Sequence, residues 1–538
     1  MRPLPSGTDR HSLHQRRRTT SAPAVGHPRG PARDERSRKL LFEAPTHLLP
    51  RVRGIDPAIG ARVRSMADAA AEMARRHAAW RPHIISFLIA FPLLTGVTLW
   101  WVNPTSGPLS WYVSVVWTWP VLANLIGIWG FVRTRLQLRH NRRDVRSLRA
   151  PRCADMLLVV VPTIGRHDTY PALERSVLSY VASLPPCFPR FRVDVLIEEG
   201  CEARDRIFDL GRRSPFIRVV VVPKAYRTVN GTRFKARANH YSHEMRIAEG
   251  EARDDVWVLH MDDDTGLALD TAVAMAQFIE QQRGAGDEAK HLAQGILTYP
   301  RENAVSRLTW FADAVRPADD VGRFSALTGS GLPLLGLHGE LLLVRASIEA
   351  TIGWDFGPKA IVEDAQLALN FCRRYPGRSA WFHGRCYGAS PATIRDFIRQ
   401  RERWSWGLVG LAFNRTIPLR FRALLMYCVF SWIVGPLQNV FVVLGVGYLL
   451  GSTNTTPLLA ALLPLWSLNL AFTFWQYWEG LRINASVSRD GRRHFWEPVA
   501  VTLLIPFLSL LEGIGGFRGF LKFIRGEENR FVVIAKPA

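Results

Sequence analysis

Residues 256–266 read VWVLHMDDDTG. A run of large apolar side chains ends in Asp262, Asp263 and Asp264. A continuous apolar run, with no polar alternation, predicts a strand buried on both faces, as in a mostly parallel sheet covered by helices. In open α/β sheets, ligands bind beyond the carboxyl ends of the strands. Three adjacent carboxylates at such an end repel one another unless something cationic neutralises them. Side chains alternate along an extended segment, so Asp262 and Asp264 would converge while Asp263 points elsewhere. Hard oxygen donors suit Mg²⁺ or Mn²⁺. For the triplet in isolation, a solvated turn is the plain alternative.

The surrounding sequence favours the sheet. MLLVVVPT (156–163), RVDVLIEEG (192–200) and IRVVVVP (217–223) are further short apolar runs bounded by polar turns. Together they predict an α/β domain over 134–400, with strands and helices alternating.

Beyond this domain the chain changes character. It has 538 residues, 48% hydrophobic and 21% charged, with a net charge of +23. Apolar and charged residues are kept apart. IISFLIAFPLLTGVTLWWV (84–102) and LSWYVSVVWTWPVLANLIGIWGFV (109–132) are each long enough to span a bilayer. They predict a transmembrane hairpin over 83–133. The arginine-rich segment that follows puts both of its ends in the cytoplasm by the positive-inside rule. Apolar segments return at 423–450, 457–478 and 496–516, predicting a C-terminal transmembrane region over 423–520 and a cytosolic tail over 521–538. The last segment holds Pro506, Glu512 and several glycines, so the crossing count stays open. The basic residues 1–56 are expected to be disordered, and 57–82 to form an interfacial helix. Six scattered cysteines without a CxxC pair fit reduced thiols. With no zinc-finger spacing or Walker loop, the positive charge reads as membrane-facing rather than as a nucleic-acid site.

Three further features carry chemistry. KAIVEDAQLALNF (359–371) opens an amphipathic helix with Glu363 and Asp364. These are either helix-terminal charges or a general base with its neighbour. RQRERWSWG (399–407) is either a basic juxtamembrane collar or a phosphate clamp at Arg403 beside a sugar-stacking Trp404. YRTVNGTRFKARANHY (226–241) brings Lys235 and Arg237, which are surface charges or nucleotide contacts.

In order, DxD, ED and QxxRW (Asp262–Asp264, Glu363-Asp364, Gln400–Trp404) resemble the inverting family-2 glycosyltransferases. Residues 220–420 resemble the egghead-like animal β-1,4-mannosyltransferases, through YRTVNGTRFKARA, GILTYPRENAVSRLTWFAD, VRPADDVG, VEDAQLAL and RQRERW. The acidic triplet departs from that family, which has Asp-Glu-Glu, and residues 1–80 show no likeness. The resemblance implies a cytosolic GT-A (Rossmann-like) domain flanked by transmembrane helices. It implies GDP-mannose as donor, a lipid-linked sugar as acceptor, and a Mg²⁺ or Mn²⁺ ion on Asp262 and Asp264. Asp364 would be the base, with Glu363 beside it. Lys235, Arg237, Glu198, Glu199, Gln400 and Arg403 would contact the donor, and Trp404, His338 and Glu340 the acceptor. A processive β-glycan synthase using a UDP-sugar and a non-catalytic sugar-nucleotide scaffold are the alternatives.

Overall fold

The computed structural model describes residues 82–101, 118–146, 152–450, 457–491 and 494–527. The expected basic arm, all but the last residue of the expected interfacial helix, the 103–108 link and residues 528–538 lie outside the described residues.

Two helices come first, α1 (Ile84–Trp101) and α2 (Val121–Arg146). A seven-stranded sheet follows: β1 (Met156–Pro162), β2 (Phe191–Glu198), β3 (Ile217–Val222), β4 (Val256–His260), β5 (Leu292–Thr298), β6 (Leu342–Arg345) and β7 (Ser379–Tyr387). Its order is β3-β2-β1-β4-β6-β5-β7. Only β6 runs antiparallel to its neighbours. The α/β expectation therefore holds, as a mixed sheet. The first four strands fall where the apolar runs predicted them. In β1 and β4 every residue is buried, as expected for strands covered on both faces.

The helices between strands are α3 (Tyr170–Ser183), α4 (Arg204–Arg212), α5 (Phe234–Ala248) and α6 (Leu269–Arg283). A broken helical run from α7 (Arg307–Asp313) to Thr328 and the short α8 (Ala346–Ile352) come next. Then α9 (Glu363–Arg374) carries acids in its first turn and Arg373 and Arg374 in its last, the arrangement the helix dipole favours. The helix α10 (Ile394–Ala412) starts at Thr393, whose hydroxyl accepts the Asp396 amide at 3.1 Å. It runs unbroken through Gln400–Trp404. The last three helices are α11 (Leu419–Leu450), α12 (Pro457–Val487) and α13 (Trp496–Ile524).

Close backbone approach docks these helices on the sheet domain. A Cβ on Gly130 of α2 would collide with the Gly322 backbone, and one on Gly480 of α12 with the Ala314 backbone. Gly515 and Gly519 of α13 likewise admit α10, at Arg401, Glu402 and Ser405.

Among the described residues, α13 alone is long and apolar enough to cross a membrane, and Ile84–Gly96 is a shorter apolar stretch. The expected hairpin and multiple C-terminal crossings are not supported by that test. In α12 the apolar run is interrupted by Gln476, Glu479 and Arg482, and the last two pair at 2.6 Å. The Glu512 that made 496–516 ambiguous is neutralised by Arg401 at 2.8 Å. All six cysteines are free thiols.

Candidate functional site

The strand order reverses between β1 and β4, and the crevice beyond their carboxyl ends is where such sheets bind ligands. There the chain leaves β4 through a turn rather than an extended segment, so the alternation expected for the acidic triplet does not apply. Each carboxylate has its own setting. Asp262 pairs with Lys235, Asp263 accepts the Thr163 hydroxyl at 2.6 Å, and Asp264 accepts that of Thr265 at 3.1 Å. The Tyr180 hydroxyl, donating to the Thr265 carbonyl, pins the turn. All three acids line one cavity of about 1070 Å³.

Lys235 enters from the first turn of α5. Its predecessor Phe234 holds the left-handed conformation, φ 56°, which is costly outside glycine. The Lys235 ammonium meets Asp262 and lies 3.5 Å from Glu363 Oε1. Burial alone would lower its pKa, but Asp262, Glu363 and Asp364 raise it, so it stays charged.

The α9 terminus brings Glu363 and Asp364 to the same place. Asp364 Oδ1 accepts the Ala365 amide at 2.8 Å. Gly339 marks how tightly these groups meet. A Cβ there would overlap the Lys235 ammonium and lie 3.4 Å from Asp364 Oδ2 and 3.5 Å from Asp262 Oδ1. Burial raises the pKa of both Glu363 and Asp364 above the usual carboxylate range, and Lys235 pulls both part of the way back.

The collar forms a further wall. One face of α10 presents Gln400, Arg403 and Trp404 to the cavity at helical spacing. The Trp404 ring has the Arg316 guanidinium 4.3 Å from its centroid and that of Arg401 4.7 Å away. Gln400 is held by a hydrogen bond from Arg401. His338 and Glu340 also line the cavity. The His338 ring nitrogen lies 2.5 Å from Asp320, which raises the imidazole pKa although burial opposes it. Arg237 and Glu198 pair with each other at the cavity edge. Glu199 is the exception: it lies exposed outside the cavity and accepts the Lys224 amide at 2.8 Å. It is the next residue after the strand end, so its side chain takes the opposite face.

Sequence reasoning missed four residues. Thr163, at the end of β1, orients Asp263. Gly339 makes room for Lys235. Arg316 covers Trp404. Arg401 is fully buried and joins α7 to α13, donating to Asp313 and to Glu512 at 2.8 Å. Thr163 had a signal in its place at a strand end beside the crevice, and Arg316 and Arg401 lie inside the segments VRPADDVG and RQRERW that carry the resemblance, without a role read from them.

Asp262 and Asp264 offer hard carboxylate oxygens on one wall, of a kind that suits a divalent ion, and the Lys235 ammonium now occupies the cationic place beside Asp262. Among the described residues, no group of three or more His, Cys, Asp or Glu side chains converges to hold an ion unaided. An ion here would draw further ligands from phosphate oxygens and water.

The sequence profile of glycosyl transferase family group 2 matches residues 257–477. The chain is 28% identical over 325 residues to the β-1,4-mannosyltransferase egh of Drosophila melanogaster, covering 60% of this chain and 66% of that protein. It is 26% identical over 393 residues to the β-1,4-mannosyltransferase bre-3 of Caenorhabditis briggsae, covering 69% of this chain and 79% of that protein. The mannosyltransferase PcManGT from Pyrobaculum calidifontis, solved with GDP-Man and Mn²⁺, superposes with a TM-score of 0.41 at 13% identity, over 77% of this chain and 100% of that one. TarS 1–349 of S. aureus, solved with UDP-GlcNAc, gives 0.28 at 13% identity, over 70% of this chain and 94% of that one. At these scores the superpositions are loose. By sequence, residues 257–477 thus carry a glycosyl transferase family group 2 domain, and the chain is similar to β-1,4-mannosyltransferases of animals.

Proposed function

We propose that the protein is a membrane-bound inverting transferase that moves mannose from GDP-mannose to a sugar on a lipid, forming a β-1,4 linkage. One observation carries this reading. The acidic pair Glu363-Asp364 faces Lys235 and Asp262 in a single cavity that continues between α11, α12 and α13, one of them long and apolar enough to cross a bilayer. The animal relatives supply the sugar and linkage by their names. The sheet domain is read as a GT-A domain on the cytosolic side, where the arginine-rich segments flanking the helices would lie.

In this mechanism the diphosphate of the donor lies between the β4 turn and α10. Lys235 and Arg403 face its negative charge, while Arg237 and Glu198 border the nucleotide end. Asp262 and Asp264 would hold the divalent ion, which neutralises charge on the departing diphosphate when bound. The Asp364 carboxylate takes the proton from the acceptor hydroxyl. The hydroxyl oxygen then bonds to the anomeric carbon as the bond from that carbon to the diphosphate breaks, and GDP leaves. Attack from the opposite face turns an α-linked donor into a β-linked product. Glu363 sets the field around the base, and Trp404, His338 and Glu340 border the acceptor.

The test is a panel of sugar nucleotides with membrane lipid extract as acceptor, followed by linkage analysis. GDP-mannose turnover into a β-1,4-mannosyl lipid is expected, and Asp364→Asn should reduce it by about 10²–10⁴-fold with the fold intact. Full activity in Asp364→Asn would sink the mechanism, and turnover of a UDP-sugar into long chains would sink the product.

A further inference from the structure

Three helix ends meet at one corner of the molecule. There α10 ends at Ala412, α11 starts at Leu419 and α13 ends at Ile524. Residues 413–422 and 517–527 form this corner, and none of them lines the cavity. Phe413 stacks on Phe523 with ring centroids 6.4 Å apart and meets Phe430 edge-on at 6.1 Å. Beneath them Ile417 and Leu425 share a core with Phe421, Phe520 and Phe523. The Arg422 guanidinium donates to the Ala412 carbonyl at 2.5 Å and to that of Ile417 at 2.9 Å, which ties the loop to the end of α10.

The outside of this corner mixes two kinds of side chain. Phe413, Leu419, Phe517 and Ile524 are exposed, Leu419 by 56% and Ile524 by 62%. Between them the charge is almost all of one sign. Residues 413–422 hold Arg415, Arg420 and Arg422 and no acid, and 517–527 hold Arg518, Lys522 and Arg525 against Glu527. Glu402 of α10 takes Arg518 at 2.9 Å and also Lys522. Arg415 and Arg420 have no ion pair among the described residues, and Arg420 lies over the Phe421 ring, 4.9 Å from its centroid. Exposed apolar tips interleaved with unbalanced arginines fit the boundary between acyl chains and headgroups. A nucleic acid would meet the arginines and leave Leu419 and Ile524 in water. A bilayer of neutral lipid would take the tips and leave the charge without counter-ions. The corner is also continuous with the carboxyl end of α13, the described helix that is long and apolar enough to cross a bilayer.

Resting on the membrane-bound reading above, we infer that this corner is a docking surface for anionic phospholipid. Arg415, Arg420 and Arg525 meet the headgroup phosphates, while Phe413, Leu419 and Ile524 enter the acyl layer. The surface has a consequence for the site, because α10 runs from this corner to Gln400–Trp404 without a break. Docking therefore fixes the height of that cavity wall against the headgroups, the level at which a sugar carried on a lipid lies.

Lipid binding tests this without requiring turnover. The purified full chain in neutral detergent is titrated with dioctanoyl phosphatidylglycerol, dioctanoyl phosphatidylcholine and glycerol phosphate, and retained molecules are counted by native mass spectrometry. Phosphatidylglycerol should bind at least about ten-fold tighter than phosphatidylcholine, with the advantage shrinking as salt rises. The triple variant Arg415→Gln, Arg420→Gln, Arg525→Gln should lose most of that preference and keep its melting temperature in detergent, since all three side chains are exposed. Leu419→Ser with Ile524→Ser should weaken both lipids and leave their ratio unchanged. The inference is overturned if the two lipids bind alike, if the triple variant keeps the preference, or if glycerol phosphate binds as tightly as phosphatidylglycerol. A chain that is not membrane-bound would be recovered from cells without detergent, so the two readings fail separately.

Discussion

Asp364 sits in a conflict that its neighbours resolve only in part. Burial favours the neutral acid and Lys235 favours the carboxylate, with burial ahead. In the proposed mechanism Asp364 is the base, and a base must be unprotonated to work. The acid limb of the transfer rate should therefore lie above the ordinary carboxylate range of about 4, with activity rising as pH rises through it. Lys235→Met removes the group that lowers the pKa, so the limb should move to higher pH, on top of any loss of donor affinity. A pH profile of kcat unchanged by Lys235→Met would contradict that coupling. Gly339 offers a second test. Gly339→Ala adds one methyl where the ammonium lies, so transfer should fall by at least about ten-fold while the melting temperature barely changes. The atoms that an added Cβ would meet there belong to three charged side chains rather than to the backbone.

At the scale of elements, charge arrangement decides how strands and helices hold together. Asp194 on β2 is fully buried between Arg192 and Arg218. Burial alone would raise its pKa, but the two guanidinium groups hold it down at about 2. A depressed folded-state pKa means that its stabilisation is complete above the unfolded value of about 4 and is lost as pH falls toward 2. Asp194→Asn should flatten the acid limb of the unfolding curve in that window. The α10–α13 contact is steric instead. A Cβ on Gly519 would lie 2.8 Å from the Ser405 Cβ, so Gly519→Leu should cost about 1–3 kcal/mol or more, seen as a lower melting temperature.

The elements also show what a sequence reveals. β1 to β4 were legible because each is a short, nearly unbroken apolar run. β5 to β7 were not: β6 has only four residues, β5 carries Gln294 and Gly295, and β7 is interrupted by His383 and Arg385. The acids of α9 and the inward face of α10 were legible as charges at helical spacing, and both reach the cavity. Arg316 and Arg401 were not, because a buried arginine looks like a surface one until its partners, far along the chain, fold against it. Glu199 failed for the opposite reason, since a strand end fixes which of two adjacent acids faces inward and the one-letter sequence does not.

At the scale of the whole molecule, the sheet domain and the helices share one interface. The broken run 307–328 packs on α2 and α12 with glycines at the closest points, and Arg301 reaches past it to Asp490 and Glu497. A fragment carrying only residues 152–412 would expose Trp310, Phe311 and Val321, now buried, to water. Such a fragment should express as an aggregate or bind a hydrophobic dye strongly, whereas the full chain in detergent should not. A soluble, monomeric and catalytically competent fragment would show that the helices are dispensable.

The backbone contact between Gly480 and Ala314 also sets an order of events in synthesis. The ribosome has already completed the last strand, Ser379–Tyr387, when Gly480 is still unmade. The run 307–328, with α2 already made, must therefore wait for its α12 surface until Gly480 has emerged. During that interval the nascent chain presents an open apolar face beside a finished sheet. The enzyme's need for chaperones or insertion factors should thus peak late in translation, and a ribosome stalled just before α12 should hold the chain in its most protease-sensitive form.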